Sequence, residues 1–268
     1  MQKQKYPEPV EALSIILATF ALLIILSVIY SVIVSSGLSA EAIDKNLRLF
    51  FIFGGSLFLI VPLTYASVRN YEIRELFRFR SVPLQILIMS VIAGLAFSIL
   101  SDELDRLLSL VIPIPEWLSE QLEPLRANSF MDWFMIIFGA VIVASVAEEG
   151  LFRGFLQVTL EKKGDVTRAV ILAAITWTLI HMNIYWAIQI FLMGIFIGYL
   201  AWLTDSIIPS IITHGLNNLL AVLFLNLDLE ARLKWYTLGN HVSPVVLVIA
   251  AGTLYWSVRE MVIFYRSS

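Results

Sequence analysis

Runs of about 20 apolar residues, the length that crosses the hydrocarbon core of a bilayer, recur along nearly the whole chain. Eight can be counted, over residues 12–35, 47–68, 83–100, 131–160, 166–182, 185–203, 207–227 and 244–265. In lipid every backbone N–H and C=O must find its partner within the protein, which a helix achieves by itself. The runs therefore predict an all-α fold, a polytopic membrane helical bundle with about eight transmembrane helices. A composition of 59% hydrophobic and 15% charged residues agrees, being far from that of a soluble domain. The first run lacks a small-residue cleavage site and exceeds the apolar region of a signal peptide, so it reads as retained. No soluble domain, repeat or low-complexity tract interrupts the pattern. Residues 1–268 read as a single integral-membrane domain, with a motif-bearing core at about 131–227.

Charge narrows the partners and the orientation. A net charge of -3 gives no footprint for nucleic acid, which leaves the lipid bilayer as the evident partner. The absence of cysteine excludes disulfides, a thiol nucleophile and thiolate metal ligands. Lysine and arginine concentrate in the N-terminal "MQKQK", in "RNYEIRELFRFR" and in "EKKGDVTR", whereas the connection beginning "SDELDRLL" is acidic. Positive residues mark cytoplasmic connections. The expectation is a multi-pass protein of the cell membrane with both termini cytoplasmic. Residues 71–80 alternate apolar side chains with arginines, as an interfacial helix on an anionic leaflet does, and as a loop with anchoring residues also does.

Against this background "VASVAEEGLFRGFLQ" places Glu148, Glu149 and Arg153 inside the fourth run. A charge at mid-helix costs about 2.5–3.5 kcal/mol on insertion scales, so such residues face a bundle interior or a cavity. Glu149 and Arg153 stand four apart with the acid N-terminal, the favourable sense for a helical ion pair. Glu148, turned about 100° away, has no such partner on its own helix. Either the three form one buried network that fixes packing, or Glu148 has a separate task. Gly164 marks the turn between the fourth and fifth runs, with Glu148 16 residues before it and His181 17 after it. Equal distances from a hairpin turn mean equal depth, so these two side chains should be neighbours. In the seventh run His214 and Asn218 share a helix face, and Asn217 points elsewhere. By rise per residue His214 lies about 13 Å in and the other pair about 20 Å, a mismatch that helix tilt or a protruding fourth helix would absorb. His241 falls outside the runs and reads as a surface residue.

A carboxylate, two histidines and an asparagine converging in a cavity suit amide hydrolysis. A desolvated glutamate can take a proton from water with a histidine beside it, and His214 with Asn218 can donate to the developing oxyanion. Alternatively Glu148, His181 and His214 are candidate ligands of a zinc ion that activates the water. Spacing does not choose between these two schemes.

"EEGLFR", "WTLIH" and "IIPSIITHGLNN" together resemble the motif set of the CAAX prenyl protease 2 / Abi family, the CPBP intramembrane proteases. That set is a glutamate pair with arginine four after the second, an aromatic residue four before a histidine, and a histidine with asparagine four after it. The resemblance implies an intramembrane endopeptidase with Glu148 as base, His181 as its partner on the water, and His214 with Asn218 as oxyanion donors. Glu149, Arg153 and the aromatic Trp177 support them. Trp177 stands where phenylalanine is the more familiar residue, a change of volume that bears on substrate fit. The resemblance leaves the cofactor as none or zinc. The implied substrate is a peptide or lipid-anchored protein, with prenylated C-termini as the known case. Other members act in bacteriocin immunity or regulation, so a noncatalytic membrane binding protein is one alternative. A proton-coupled transporter is another, though no paired Gly or Pro interruptions mark two halves; Gly194 and Gly198 read instead as a close helix contact.

Overall fold

The computed structural model describes residues 6–34 and 40–267, the backbone alone being described at residues 34, 40–47, 50–51 and 230–231. The basic N-terminal pentapeptide and residue 35 lie outside the described residues. Each of the eight apolar runs forms a helix: α1 (Pro9–Val34), α2 (Ala40–Val68), α3 (Leu84–Val111), α4 (Phe130–Lys163), α5 (Val166–Ile180), α6 (Ala187–Thr204), α7 (Ile208–Leu227) and α8 (Pro244–Ser267). Among the described residues six of these, α1, α3, α4, α6, α7 and α8, are long and apolar enough to cross a membrane. The 15-residue α5 and the apolar Ile52–Val68 part of α2 are shorter. The protein is an all-α integral membrane bundle, its described strands confined to the pair Thr237–Leu238 and His241–Val242.

Local chemistry sets the helix ends nearest the motifs. Ser129 caps α4 by accepting from the Asp132 amide, and Asp165 caps α5 by accepting from the Arg168 amide. Asp205 closes α6 in the left-handed conformation, φ 46°, a state that short polar side chains tolerate. Pro209 then opens α7, where its missing N–H costs nothing.

Helix α4 is the axis of the fold and is not a regular α-helix. It carries two π-helical stretches, Ile137–Val143 and Gly150–Leu156, with the α-helical Ala144–Glu149 between them. Such stretches insert an extra residue per turn and turn the following residues onto another face; they concentrate at functional sites. With 34 residues α4 would measure roughly 50 Å as an ideal helix, longer than a hydrocarbon core of about 30 Å. That surplus leaves room for the tilt or protrusion that the depth mismatch calls for. Below Glu149, Leu151, Phe152, Phe155 and Leu156 are wholly buried in one core with Ile16, Phe77, Trp177 and Ile197. A second core joins α3, α6 and α8 through Ile86, Ala93, Leu200 and Met261.

The connection between α2 and α3 is loop for most of its length. Only Ile73–Leu76 is helical, and Leu76 and Phe77 are fully buried against α4. Phe77 approaches so closely that a Cβ on Gly154 would lie 2.9 Å from its Cα. The next residue, Arg78, is 4% exposed and bonds Glu161 and Asp205, while Arg80 also reaches Asp205. Arg78 thus serves as a buried strut, because two core-directed apolar side chains pull the segment inward, while Arg74 and Arg80 stay exposed. The acidic connection between α3 and α4, residues 112–129, folds over the opposite end of the bundle around the short helix Glu116–Leu122.

Candidate active site

The two adjacent glutamates have different surroundings. Glu149 has no exposed surface; its Oε1 accepts from Arg153 at 2.8 Å and from His214 Nδ1 at 2.9 Å. Arg153 is equally buried and lies over the Trp177 ring, 4.2 Å from its centroid. The ion pair expected from the four-residue spacing is present although Arg153 sits within a π-helical stretch. Its site is reinforced by α6, whose Gly194 carbonyl accepts from Arg153 at 3.4 Å.

Glu148 faces a cavity of about 500 Å³, and 15% of its side chain is exposed. Its Oε2 accepts from the indole Nε1–H of Trp177 at 2.7 Å and lies 3.9 Å from His181 Nε2. His181, at the C-terminal end of α5, directs Nδ1 at the Trp177 carbonyl, 2.8 Å away. A carbonyl can only accept, so Nδ1 carries a proton, and Nε2 is the ring nitrogen nearest Glu148. The equal-depth expectation for Glu148 and His181 is met in the geometry: a separation of 3.9 Å is too long for a direct bond, and suits one water shared by both.

His214 and Asn218 take different places. His214 is buried behind the pair, bonded to Glu149 and edge-on to Trp177 at 5.3 Å between ring centroids. Asn218 lines the cavity beside Glu148 and donates one amide hydrogen to the Ala140 carbonyl, at 2.9 Å, within the first π-helical stretch of α4. The described residues contain no group of three or more histidine and carboxylate side chains arranged to hold a metal ion. Glu148, His181 and His214 form no such group among the described residues. His241 is a surface residue as expected, on a two-residue strand and 2.8 Å from Glu103.

Residues 130–220 match the family model described as type II CAAX prenyl endopeptidase Rce1-like. Over this third of the chain the sequence is similar to that family. The matched segment runs from the first turn of α4 into α7 and so contains Glu148, Trp177, His181, His214 and Asn218. No curated protein and no solved structure gives a significant match to the chain.

Outside that Rce1-like segment, α1, α2 and the connection 112–129 complete the cavity wall. Phe20 and Ile24 of α1, Phe58 of α2, and Leu125 line it with Met135 and Ile136 of α4. Sequence reasoning missed these residues because nothing but their apolarity marks them. It also missed Arg48, which sits at the far end of the cavity and is almost wholly buried. Arg48 donates to the carbonyls of Pro124 at 2.9 Å and Arg126 at 2.7 Å and pairs with Asp132. A lone arginine at the head of an apolar run was the available signal.

Proposed function

We propose that the protein is an intramembrane endopeptidase in which Glu148 is the general base. The observation that carries this reading is the division of labour between the glutamates: Glu149 is sealed in an ion pair, and Glu148 reaches an apolar cavity with His181 3.9 Å away. A water held between Glu148 and His181 gives a proton to Glu148 as its oxygen bonds to the substrate carbonyl carbon. Asn218 has a second amide hydrogen beyond the one on Ala140, and we assign it to the oxyanion. Glu148 then returns the proton to the departing amine nitrogen as the C–N bond breaks, leaving a carboxylic acid and an amine. His214 keeps Glu149 and Trp177 in place behind the base. The scheme routes no step through a metal.

The cavity wall suits a substrate whose apolar chain lies beside the scissile bond, such as a membrane-anchored polypeptide; a prenyl chain is one group of that kind. The test is cleavage of a lipid-anchored reporter peptide by the purified full chain and by Glu148→Gln. The variant should fold normally and lose cleavage by about two to four orders of magnitude, the usual cost of removing a general base. Full activity in Glu148→Gln removes Glu148 as base. Reporter binding without cleavage by the natural chain favours the noncatalytic alternative.

A further inference from the structure

Helix α8 presents two stripes. Ala250, Ser257 and Met261 are buried, and Met261 packs with Ile86 and Ala93 of α3. The second stripe, Ala251, Tyr255, Val258 and Val262, follows the i, i+4, i+7, i+11 spacing of a single helix face. Together with Leu100 of α3 and Phe196 of α6 it lines a groove of about 690 Å³. The far wall is braced, since Phe196 stacks on Phe97 with ring centroids 4.8 Å apart. Tyr255 and Ile263 are exposed on this face, so the described chain leaves it open. The groove shares no lining residue with the Glu148 cavity, and what it binds does not depend on whether the chain is a protease.

Two arginines belong to the same stripe. Arg259 and Arg266 both line the groove, seven residues and so about 10 Å apart along one face. Both lie within the apolar span Pro244–Ser267. A charge in a span ordinarily faces the bundle interior or a water-filled cavity. Arg259 does the opposite, with 54% of its side chain exposed, and its described partner is only the adjacent Glu260, at 3.1 Å. Arg266 has no partner among the described residues, and none of the described residues that line the groove is acidic. Val82, Leu203 and Tyr265 pack against one core, which sets Arg266 at the end of the bundle where Arg78 and Arg80 already hold Asp205.

An apolar trough with unmatched positive charge toward one end is complementary to a phospholipid with an anionic headgroup. We infer that the groove between α3, α6 and α8 binds one such lipid, with an acyl chain along Ala251, Val258 and Phe196 and the headgroup phosphate on Arg259 and Arg266. Long arginine side chains lie along apolar surface and carry their charge out to headgroup level, and the planar guanidinium matches phosphate oxygens. Basic pockets between spans take anionic headgroups on the side of the membrane where lysine and arginine collect. The connections 69–83 and 161–168, with four arginines and then two lysines and an arginine, mark that side at the Arg266 end. A second copy of the chain fits less well. Pairing through α8 would set arginine against arginine, since Glu260, the one acid of α8, is already bonded to Arg259.

The test is native mass spectrometry of the full chain, delipidated in detergent and then mixed with equal amounts of phosphatidylglycerol and phosphatidylcholine of identical acyl chains. One phosphatidylglycerol should be retained in preference. An arginine near the membrane surface contributes roughly 5-fold to binding an anionic lipid, so Arg259→Gln/Arg266→Gln should lose about 25-fold of that preference. Arg259→Lys/Arg266→Lys should keep most of it. Val258→Trp, which fills the groove and spares both arginines, should weaken retention of both lipids. Phosphatidylglycerol should also raise the melting midpoint of the natural chain and leave that of the double glutamine variant unmoved, as a ligand of the folded state does. Equal retention of the two lipids by the natural chain overturns the inference, and so does a preference that survives the double glutamine change. If that variant fails to accumulate, Val258→Trp decides alone, and undiminished phosphatidylglycerol retention there overturns the site. The chain contains no cysteine, so Val262→Cys can report a second copy; disulfide-linked dimers formed in lipid bilayers would assign the groove to that copy and overturn the lipid.

Discussion

The indole Nε1–H of Trp177 donates to Oε2 of Glu148 at 2.7 Å, fixing one oxygen of the candidate base across the α4–α5 interface. From sequence, tryptophan at this position changes volume alone; in the structure it adds a donor that phenylalanine lacks. A hydrogen bond to a charged group contributes about 1.5–3 kcal/mol. If that energy is spent on orienting Glu148, Trp177→Phe should slow peptide cleavage by roughly 10- to 100-fold. The ring contact with Arg153 remains, so the unfolding midpoint should move little. Initial rates and thermal melting in the same detergent check both halves; an unchanged rate removes the positioning role.

Glu149→Ala should act mainly on stability. It leaves Arg153 and His214 without the carboxylate oxygen both now use, at a place with no exposed surface. Uncompensated buried charge costs about 3–5 kcal/mol when one partner of a pair is removed. The variant should melt markedly earlier or fail to accumulate, in contrast to Glu148→Gln. Denaturation of the two variants side by side makes the comparison.

Gly194→Val tests the close approach of α5 and α6. Even a Cβ at Gly194 would lie 2.9 Å from the Ala174 Cβ and 3.2 Å from Cε3 of Trp177. Overpacking of this kind costs about 1–3 kcal/mol. Because the displaced neighbour is Trp177, cleavage should fall further than the loss of folded protein explains. Specific activity per folded molecule is the quantity to measure.

Arg48→Lys should loosen one wall of the cavity. The guanidinium bonds two carbonyls of the connection, at Pro124 and Arg126, together with Asp132. A lysine ammonium cannot reproduce that planar fork. Limited proteolysis should cut within residues 112–129 several times faster in the variant, with the rest of the bundle equally resistant. Equal cleavage rates would show that the connection is held by other contacts.

Much of the site could be read from spacing, and the reasons for the remainder are physical. The Glu149–Arg153 pair follows from helix geometry alone, and the neighbourhood of Glu148 and His181 follows from counting out of the Gly164 turn. Both depend on local rules that hold within one helix or one hairpin. The partner of His214 was hidden, because α7 meets α4 across a tertiary interface whose offset depends on the length and winding of α4. The π-helical stretches carry no distinctive residue pattern, yet each turns the following side chains toward a different neighbour. The burial of Arg78, among the arginines of residues 71–80, was hidden for a similar reason. Their alternation with aromatics fits a membrane surface, and only the docking of Leu76 and Phe77 into the core turns Arg78 inward.

The amino-acid order alone determined that this chain is a bundle of apolar helices, which segments form them, and which few polar residues need an explanation inside it. Those conclusions follow from transfer energies and helix periodicity, which act residue by residue. The packed fold decided which glutamate is sealed and which meets the cavity, that Trp177 touches the base, and that the connection 112–129 lines the cavity. These depend on distances between helices remote in sequence, set by the close contact at Gly194, the winding of α4 and the core around Phe77. Such distances emerge only when all the helices are packed at once.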